Sequence, residues 1–187
     1  MKEIVMTEKE IYEACEVLGK QISEDLKNEE KVPLIIGIVK GGVPFMMDLV
    51  KNISIHVMMD FIQVSSYTGL SRSREVKLVK DLTYDVKGRT IILVDDVVDS
   101  GNSLYFLVNY IKEHYQPKKV LTCALFDKVN AREADIEVDY SGKKLYENKF
   151  LCGYGLDYNE ILRNIPYVFV PDESDLAEYD NYLNERK

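Results

Sequence analysis

Apolar runs alternate with amphipathic segments along this chain, and that pattern predicts an α/β fold. The runs are nearly continuous, without a polar residue at every second position, and they lie over 34–39, 91–94 and 120–126. Runs of this kind are typical of parallel strands that are covered on both faces. Between them, apolar residues recur every three or four positions, as on helices, over 11–26, 45–50 and 104–111. We therefore expect a mostly parallel central sheet flanked by helices.

Two further apolar stretches predict a hairpin. Strand-like patterns over 57–65 and 76–79 are separated by residues 66–74, which read SYTGLSRSR. This interval is long for a hairpin loop and rich in small polar and basic residues. Such a loop is either a lid that closes over a ligand or a disordered connection, and its composition favours a flexible lid.

Length and charge narrow the possible functions. The 187 residues allow one domain, 1–187, and the 32 acidic against 24 basic residues give a net charge of −8. That balance argues against general binding to nucleic acid or to a membrane surface. No apolar run approaches the roughly 18 residues of a membrane span, and the first residues lack the apolar core of a signal peptide. We expect a cytoplasmic protein.

The cysteines and histidines show no metal-binding pattern. Cys15, Cys123 and Cys152 are widely spaced, and His56 and His114 are isolated from them and from each other. A zinc site or a Cys-His pair is therefore not predicted. Any metal would be a hard cation bound to oxygen atoms.

The segment after the second apolar run carries the most chemistry. Asp95 and Asp96 follow the run directly, at the end of the strand where open α/β sheets bind ligands, and residues 99–103 read DSGNS before a helical pattern begins. A turn that opens a helix suits a phosphate, because its backbone N–H groups point outward. The carboxylates instead suit sugar hydroxyls or a divalent cation. The segment therefore predicts a site for a phosphorylated sugar, although an acidic pair alone could equally cap a helix or face solvent.

A second turn of the same kind follows the first apolar run. Lys40, Gly41 and Gly42 lie between that run and the helical pattern that contains Pro44. Glycine lets the backbone approach a phosphate oxygen closely, and lysine adds a positive charge. A plain strand-to-helix turn would look the same in isolation. Two anion sites together favour a diphosphate ligand.

The run VDDVVDSGNS over 94–103 resembles the phosphoribosyl pyrophosphate (PRPP) motif of the phosphoribosyltransferases. Asp99, the fifth residue counted from Asp95, resembles the branch that uses 6-oxopurines, the hypoxanthine-guanine phosphoribosyltransferases. FLCGYGLDY over 150–158 resembles a further motif of that branch. The resemblance implies the type I phosphoribosyltransferase fold, with a core over about 30–140. A small hood would be built from the N-terminal segment and about 141–187.

This resemblance also implies residue roles around PRPP. The ribose would contact Asp95 and Asp96, and its 5′-phosphate would bind at Ser100, Gly101, Asn102 and Ser103. Pyrophosphate would bind at Lys40, Gly41, Gly42 and Arg163, with a possible cis peptide bond between Val39 and Lys40. The lid residues Ser66 and Tyr67 would close over pyrophosphate. Magnesium would be held by Asp95, Asp96 and Asp157.

On the purine side, the resemblance implies that Asp99 accepts the proton from N7 as a general base. Lys128 would hydrogen bond to O6, and the aromatic ring of Phe150 would stack on the base. The remaining purine-binding residues would be Lys149, Leu151 and Asp157.

The implied reaction converts hypoxanthine or guanine and PRPP to IMP or GMP and pyrophosphate, in a Mg²⁺-dependent homodimer or homotetramer. Because Asp95-Asp96 replaces the Glu-Asp pair of many purine enzymes, a preference for xanthine stays open. A non-catalytic RNA-binding regulator on the same fold would need a basic face, which the net charge of −8 argues against. A receiver domain would place its acidic pair nearer the start of the chain than Asp95.

Overall fold

The structure is a computed structural model that describes residues 2–68 and 74–186. Its strands are β1 Glu3–Met6, β2 Leu34–Val39, β3 Met58–Thr68, β4 Arg74–Lys80, β5 Thr90–Val98, β6 Lys119–Lys128, β7 Tyr140–Leu145 and β8 Val168–Val170. Its helices are α1 Glu8–Leu26, α2 Gly42–Val50, α3 Asn102–Tyr115 and α4 Glu173–Asn184, and a 3₁₀ turn covers Val129–Ala131.

Six strands form the central sheet in the order β4-β3-β2-β5-β6-β7. In this order, the strands β3, β2, β5, β6 and β7 are each parallel to their neighbours. The edge strand β4 pairs antiparallel with β3. Parallel neighbours must be joined by crossovers, which the helices provide here. The predicted fold class, a mostly parallel sheet flanked by helices, is confirmed.

The two faces of the sheet build two apolar cores. Because successive side chains on a strand point to opposite faces, the apolar residues of β5 divide between them. Ile92 and Val94 pack with the residues of α1 and α2, whereas Ile91 and Leu93 pack with those of α3. Burial on both sides explains why the central strands are apolar at every position.

The start of α1 follows from its sequence. The Thr7 hydroxyl accepts a hydrogen bond from the Glu10 N–H at 3.3 Å, and Glu10 Oε2 accepts one from the Thr7 N–H at 2.7 Å. This reciprocal capping box satisfies two backbone donors that the first helical turn would leave free. It fixes the start of the helix, whose apolar stripe is buried against the sheet.

The hairpin is confirmed, but its strands are longer than predicted. Backbone pairing continues to Thr68 on β3 and starts again at Arg74 on β4, with Ser66 opposite Val76. The prediction of a loop over 66–74 was therefore too long. Polar side chains do not prevent two antiparallel backbones from pairing, and this is why the composition misled.

A smaller unit combines both ends of the chain. β1 pairs antiparallel with β8, and Cys152 forms a bridge to Phe169 of β8. Lys2 Nζ donates to the hydroxyl of Tyr179 on α4 at 2.7 Å. The division into a core over about 30–140 and a hood from the N-terminal segment and about 141–187 stays a prediction. In the described part of the chain, no helix is long and apolar enough to cross a membrane.

Candidate active site

Two turns meet at one edge of the sheet. We name residues 95–103 the acidic turn and residues 39–42 the lysine turn. β2 and β5 are parallel neighbours, so their carboxyl ends lie side by side. A Cβ added to Gly41 would lie 1.9 Å from Oδ2 of Asp96, which means that this carboxylate rests directly against the glycine backbone. The two predicted anion sites are therefore adjacent.

The acidic turn surrounds a small cavity. Asp95 and residues 97–104 line a space of about 170 Å³. All four residues assigned to the 5′-phosphate belong to this lining, namely Ser100, Gly101, Asn102 and Ser103. Gly101 precedes α3 with a φ of 82° and has no side chain to cap the helix, while the Ser100 hydroxyl accepts a hydrogen bond from the Asn102 N–H at 3.4 Å. The cavity therefore faces the positive end of the α3 dipole, an arrangement that favours an anion.

Asp95 and Asp96 form a pair of neighbouring buried carboxyls. Their oxygens accept hydrogen bonds from the backbone N–H groups of Asp96 at 3.0 Å and Val97 at 2.8 Å. Burial and the charge of Asp96 raise the pKa of the Asp95 carboxyl well above its ordinary value, and burial also raises the pKa of Asp96. Such a pair is stabilised by a cation or by hydroxyl donors.

The chemistry of this pair fits magnesium held partly by a substrate. Within residues 2–68 and 74–186, no group of three or more carboxylate, histidine or cysteine side chains could hold a metal ion. Mg²⁺ commonly takes one or two protein carboxylates and completes its shell with water and phosphate oxygens. Asp95 and Asp96 match that requirement.

The assignment of Asp157 to the metal stays a prediction. Its Oδ1 lies 2.8 Å from Nη2 of Arg163, and its Oδ2 accepts a hydrogen bond from the Glu160 N–H at 2.9 Å. Both oxygens therefore already have partners within its own loop.

The lysine turn has the predicted cis peptide bond between Val39 and Lys40. Gly41 precedes α2, which has no side-chain cap. The Lys40 ammonium lies 2.7 Å from Oε2 of Glu160, and Arg163 Nη2 lies 3.3 Å from the same oxygen. Glu160 thus connects the two cations that were assigned to pyrophosphate.

Glu160 was not predicted as a site residue. Lys40 and Arg163 hold the pKa of the Glu160 carboxyl below its ordinary value. Its position three residues before Arg163 was a usable signal for the Arg163 contact, because residues at this spacing often pair when the chain turns. The contact with Lys40 spans 120 residues and has no local signal.

The loop that contains Arg163 packs on the lysine turn. Arg163 Nη1 donates to the Gly155 carbonyl at 2.7 Å, and a Cβ at Gly155 would lie 2.2 Å from the Gly41 carbonyl oxygen. Gly155 has a φ of 97°, which a side chain would strain. The adjacent Tyr154 donates to Asp48 of α2 at 2.7 Å and so fastens the loop to the helix.

Asp99 and Lys128 lie together at the carboxyl ends of β5 and β6. Lys128 Nζ is 3.0 Å from Oδ2 of Asp99, which confirms that the two predicted purine-side residues are neighbours. The Lys128 side chain is 7% exposed, whereas that of Asp99 is 51% exposed. Lys128 also donates to Oδ1 of Asn148 at 3.3 Å, a contact that was not predicted. The carboxylate is therefore open to a ligand while a buried ammonium holds it in place.

The other purine-side residues lie on the segment that follows Asn148. Phe150 is exposed and makes an edge contact with Tyr158 at 6.3 Å between ring centroids, and Leu151 is buried. Lys149 Nζ pairs with Glu3 at 2.6 Å and Glu147 at 2.8 Å. The stacking of Phe150 and the purine contacts of Lys149 and Leu151 stay predictions.

The predicted lid, residues 66–74, lies partly outside the described residues. Ser66 and Tyr67 have a described backbone on β3, but their side chains lie outside the described residues. Residues 69–73 also lie outside it. Closure over pyrophosphate therefore stays a prediction.

Comparison with known proteins gives a family for this architecture. Residues 3–159 match the phosphoribosyl transferase domain family. The chain belongs to the phosphoribosyltransferase family. This phosphoribosyltransferase is 42% identical over 174 residues to the hypoxanthine-guanine phosphoribosyltransferase of Streptococcus pyogenes serotype M3, a match that covers 92% of this chain and 94% of the relative. It is 40% identical over 169 residues to the bifunctional protein TilS/HprT of Listeria monocytogenes; there the match covers 90% of this chain but only 26% of the relative, about a quarter of its length.

Solved structures agree with this placement. A hypoxanthine phosphoribosyltransferase from Staphylococcus aureus superposes with a TM-score of 0.86 at 35% identity, covering 93% of both chains. A hypoxanthine phosphoribosyl transferase from Trypanosoma cruzi superposes with a TM-score of 0.87 at 29% identity, covering 96% of this chain and 95% of the other. The phosphoribosyltransferase fold that the sequence implied is therefore confirmed.

Proposed function

We propose that this phosphoribosyltransferase transfers the phosphoribosyl group of PRPP to hypoxanthine or guanine, forming IMP or GMP and releasing pyrophosphate. The observation that carries the proposal is the 3.0 Å contact between Lys128 and Asp99, next to the cavity of the acidic turn. A ribose 5-phosphate bound in that cavity would present its C1 atom beside a lysine donor and an exposed carboxylate. Relatives that match this chain over nearly their whole length carry the same activity in their names.

The purine is recognised by complementary hydrogen bonds. The Lys128 ammonium donates to O6 of a 6-oxopurine, and adenine would present an amine donor at that position instead. Asp99 accepts the N7 proton as N9 attacks C1, and Lys128 holds its carboxylate in position. Phe150 supplies an exposed aromatic face for the base, with Lys149, Leu151 and Asp157 completing the pocket.

PRPP is divided between the two turns. The 5′-phosphate occupies the cavity of the acidic turn, and the pyrophosphate binds at Lys40, Gly41, Gly42 and Arg163. Asp95 and Asp96 face the ribose hydroxyls and would hold Mg²⁺, which offsets the charge of the diphosphate when it is bound. As the bond from C1 to the pyrophosphate oxygen breaks, positive charge develops on the ribose. The fixed carboxylates of the acidic turn stabilise that charge more than they stabilise the ground state.

A direct assay tests the proposal. Purified protein, PRPP and Mg²⁺ are incubated separately with hypoxanthine, guanine, xanthine and adenine, and nucleotide formation is followed. We expect product with hypoxanthine, guanine or both, and none with adenine. Product with xanthine alone would replace the proposed substrate class. The absence of product with every base would contradict the activity and favour a nucleotide-sensing regulator.

Three further features stay predictions with their own measurements. Ser66 and Tyr67 are expected to close over pyrophosphate. Cysteines placed at these two positions should then be less accessible with ligand than without it. The chain forms a homodimer or homotetramer, which light scattering would measure. A cytoplasmic location would be checked by cell fractionation.

A further inference from the structure

Arg132 lies behind the acidic turn, on the side away from the cavity. Its guanidinium donates to the carbonyl oxygens of Ile136 at 2.8 Å, Asp99 at 3.2 Å and Val98 at 3.4 Å. It also forms an ion pair with Asp127, and its side chain is 15% exposed. Arg132 follows β6, so these bonds join the acidic turn to the neighbouring part of the sheet.

The residues after Arg132 form hydrogen bonds with the carbonyl of Ser100, the next residue of the acidic turn. The N–H groups of Glu133 and Ala134 donate to the carbonyl of Ser100 at 2.9 Å and 3.0 Å. We name residues 132–136 the support segment. It donates hydrogen bonds to the carbonyl oxygens of three consecutive residues, Val98, Asp99 and Ser100.

Fixing these carbonyls determines where the amides point. In a planar trans peptide, the C=O group and the following N–H group point in opposite directions. Three carbonyls held on the support segment therefore direct the N–H groups of Asp99, Ser100 and Gly101 towards the opposite side, where these residues line the cavity. Successive amides that converge in this way form a concave site for an anion.

Gly101 shows how closely the support segment fits the turn. A Cβ at this residue would lie 2.7 Å from Cδ of Arg132 and 2.8 Å from Cγ2 of Ile136. The turn therefore rests on the arginine side chain without a gap. Movement of Arg132 would move the backbone donors.

The charge of Arg132 does not make it a phosphate ligand. Its guanidinium is paired with the Asp127 carboxylate and faces carbonyl oxygens behind the turn. Arginine suits this task because its planar fork offers five donors, whereas lysine places three donors on one nitrogen and cannot reach the same set of acceptors.

We propose that Arg132 is a positioning residue that shapes the 5′-phosphate site by orienting the backbone amides of the acidic turn. The proposal rests on the proposed function, which places the 5′-phosphate there. Its consequence is selective: substrates that carry the 5′-phosphate depend on Arg132, and the other two substrates do not.

The reverse reaction separates the two anions onto different substrates and so tests the proposal. IMP carries the 5′-phosphate, and pyrophosphate binds at the lysine turn. For Arg132→Lys we expect KM for IMP and for PRPP to rise about ten-fold. The KM values for pyrophosphate and hypoxanthine should change by less than about two-fold.

Arg89→Lys is the matched control. Arg89 also donates from its guanidinium to a backbone carbonyl, that of Val32 at 2.7 Å, but it precedes β5 and lies at the opposite end of the sheet. We expect its four KM values to equal those of the parent. Melting temperatures of both variants report the purely structural cost.

Several outcomes would overturn the proposal. An equal rise in all four KM values, or a lower melting temperature with unchanged KM values, would mean that Arg132 acts only on stability. If Arg132→Lys does not fold, Gly101→Ala serves instead, because its added Cβ pushes the turn off the arginine. The same selective rise for IMP and PRPP is then expected, and a uniform change would contradict it.

Failure of the proposed function can be recognised separately. If the parent protein makes no nucleotide, calorimetric titration with ribose 5-phosphate replaces the kinetic measurement. Binding about ten-fold weaker to Arg132→Lys than to the parent would support the positioning role. Equal binding, or no binding to the parent, would overturn it.

Discussion

The acidic turn and the lysine turn share one topology but differ in how their charges are balanced. Each follows a buried parallel strand and opens a helix that is preceded by a glycine, Gly41 or Gly101. At the acidic turn, burial raises the pKa values of both neighbouring carboxyls, and the charge of Asp96 raises that of Asp95 further. At the lysine turn, Lys40 and Arg163 pair with Glu160.

This difference indicates how each turn binds its anion. The acidic turn offers a cavity lined by backbone and small polar side chains, so binding there depends on the geometry of the amides. The lysine turn offers cations that are already paired, so pyrophosphate bound there as we propose would replace the carboxylate of Glu160. On this proposal, the 5′-phosphate enters the open cavity of the acidic turn, whereas pyrophosphate displaces the Glu160 carboxylate at the lysine turn.

We expect the largest effect on catalysis at Asp99, the residue of the acidic turn that we propose as the general base. Asp99→Asn keeps the size of the side chain but removes the acceptor of the N7 proton, so we expect kcat to fall by about 10²- to 10⁴-fold. The backbone amides are unchanged, and KM for PRPP should therefore stay within about three-fold. Steady-state kinetics with hypoxanthine measures both values. Unchanged kcat would remove Asp99 from the role of general base.

The next effect tests how closely the two turns are packed. In Gly41→Ala, the new methyl group would overlap the Asp96 carboxylate, since their separation would be 1.9 Å. The Asp96 carboxylate must move to admit the methyl group, and misplacement of a group that binds substrate can lower kcat/KM for PRPP by about 10- to 100-fold. Gly88→Ala is a control for strain without a clash at the site, because Gly88 has a φ of 68° that alanine would strain, but its nearest neighbour is the flexible end of Lys31 at 3.3 Å. Equal losses for both variants would contradict a specific clash.

The sequence predicted the acidic turn better than the lysine turn for a physical reason. The strand, the two aspartates and the DSGNS segment are contiguous, so one local pattern carried the whole arrangement. The resemblance assigned Lys128 to the purine side, and parallel strands deliver their ends to one edge, but the direct contact of Lys128 with Asp99 was not predicted. The resemblance supplied the cis peptide bond, which no local pattern indicates.

The sequence could not predict contacts that depend on long-range packing. Glu160 reaches Lys40 across 120 residues, and Arg132 contacts backbone carbonyls, which carry no sequence signal. β1 and β8 have only four and three residues, so their patterns are too short to recognise. The hairpin strands were predicted too short, because backbone pairing extends through polar residues.

A smaller effect tests the exchange of anions at the lysine turn. Glu160→Gln removes the carboxylate that competes with pyrophosphate for Lys40 and Arg163. Exposed ion pairs are worth up to about 1 kcal/mol, so KM for pyrophosphate in the reverse reaction should fall by about two- to five-fold. KM for IMP should not change, because we propose that its 5′-phosphate binds at the acidic turn.

The pH dependence of this effect has a defined sign. Lys40 and Arg163 hold the pKa of Glu160 below its ordinary value, so the ion pairs persist above that ordinary value and are lost only in acid. The difference between variant and parent should therefore be constant from about pH 6 to about pH 8. Glu24→Gln is the matched control, since Glu24 pairs with Lys27 on the exposed face of α1. A higher KM for pyrophosphate in Glu160→Gln would show that Glu160 assists binding.

The smallest effect concerns stability at the acidic turn. Because the folded state raises the pKa of Asp95, the unfolded state releases this proton more readily, and stability falls as pH rises from the unfolded pKa through the folded one. Asp95→Asn removes that cost, so at neutral pH its melting temperature should exceed that of the parent by roughly 2–4 °C. In acid, where the parent carboxyl is protonated, the difference should vanish. Glu160→Gln should show no such gain, because the Glu160 carboxylate is stabilised by cations in the folded state. Equal melting temperatures for Asp95→Asn and the parent at neutral pH would show that the two turns do not differ in how their charges are balanced.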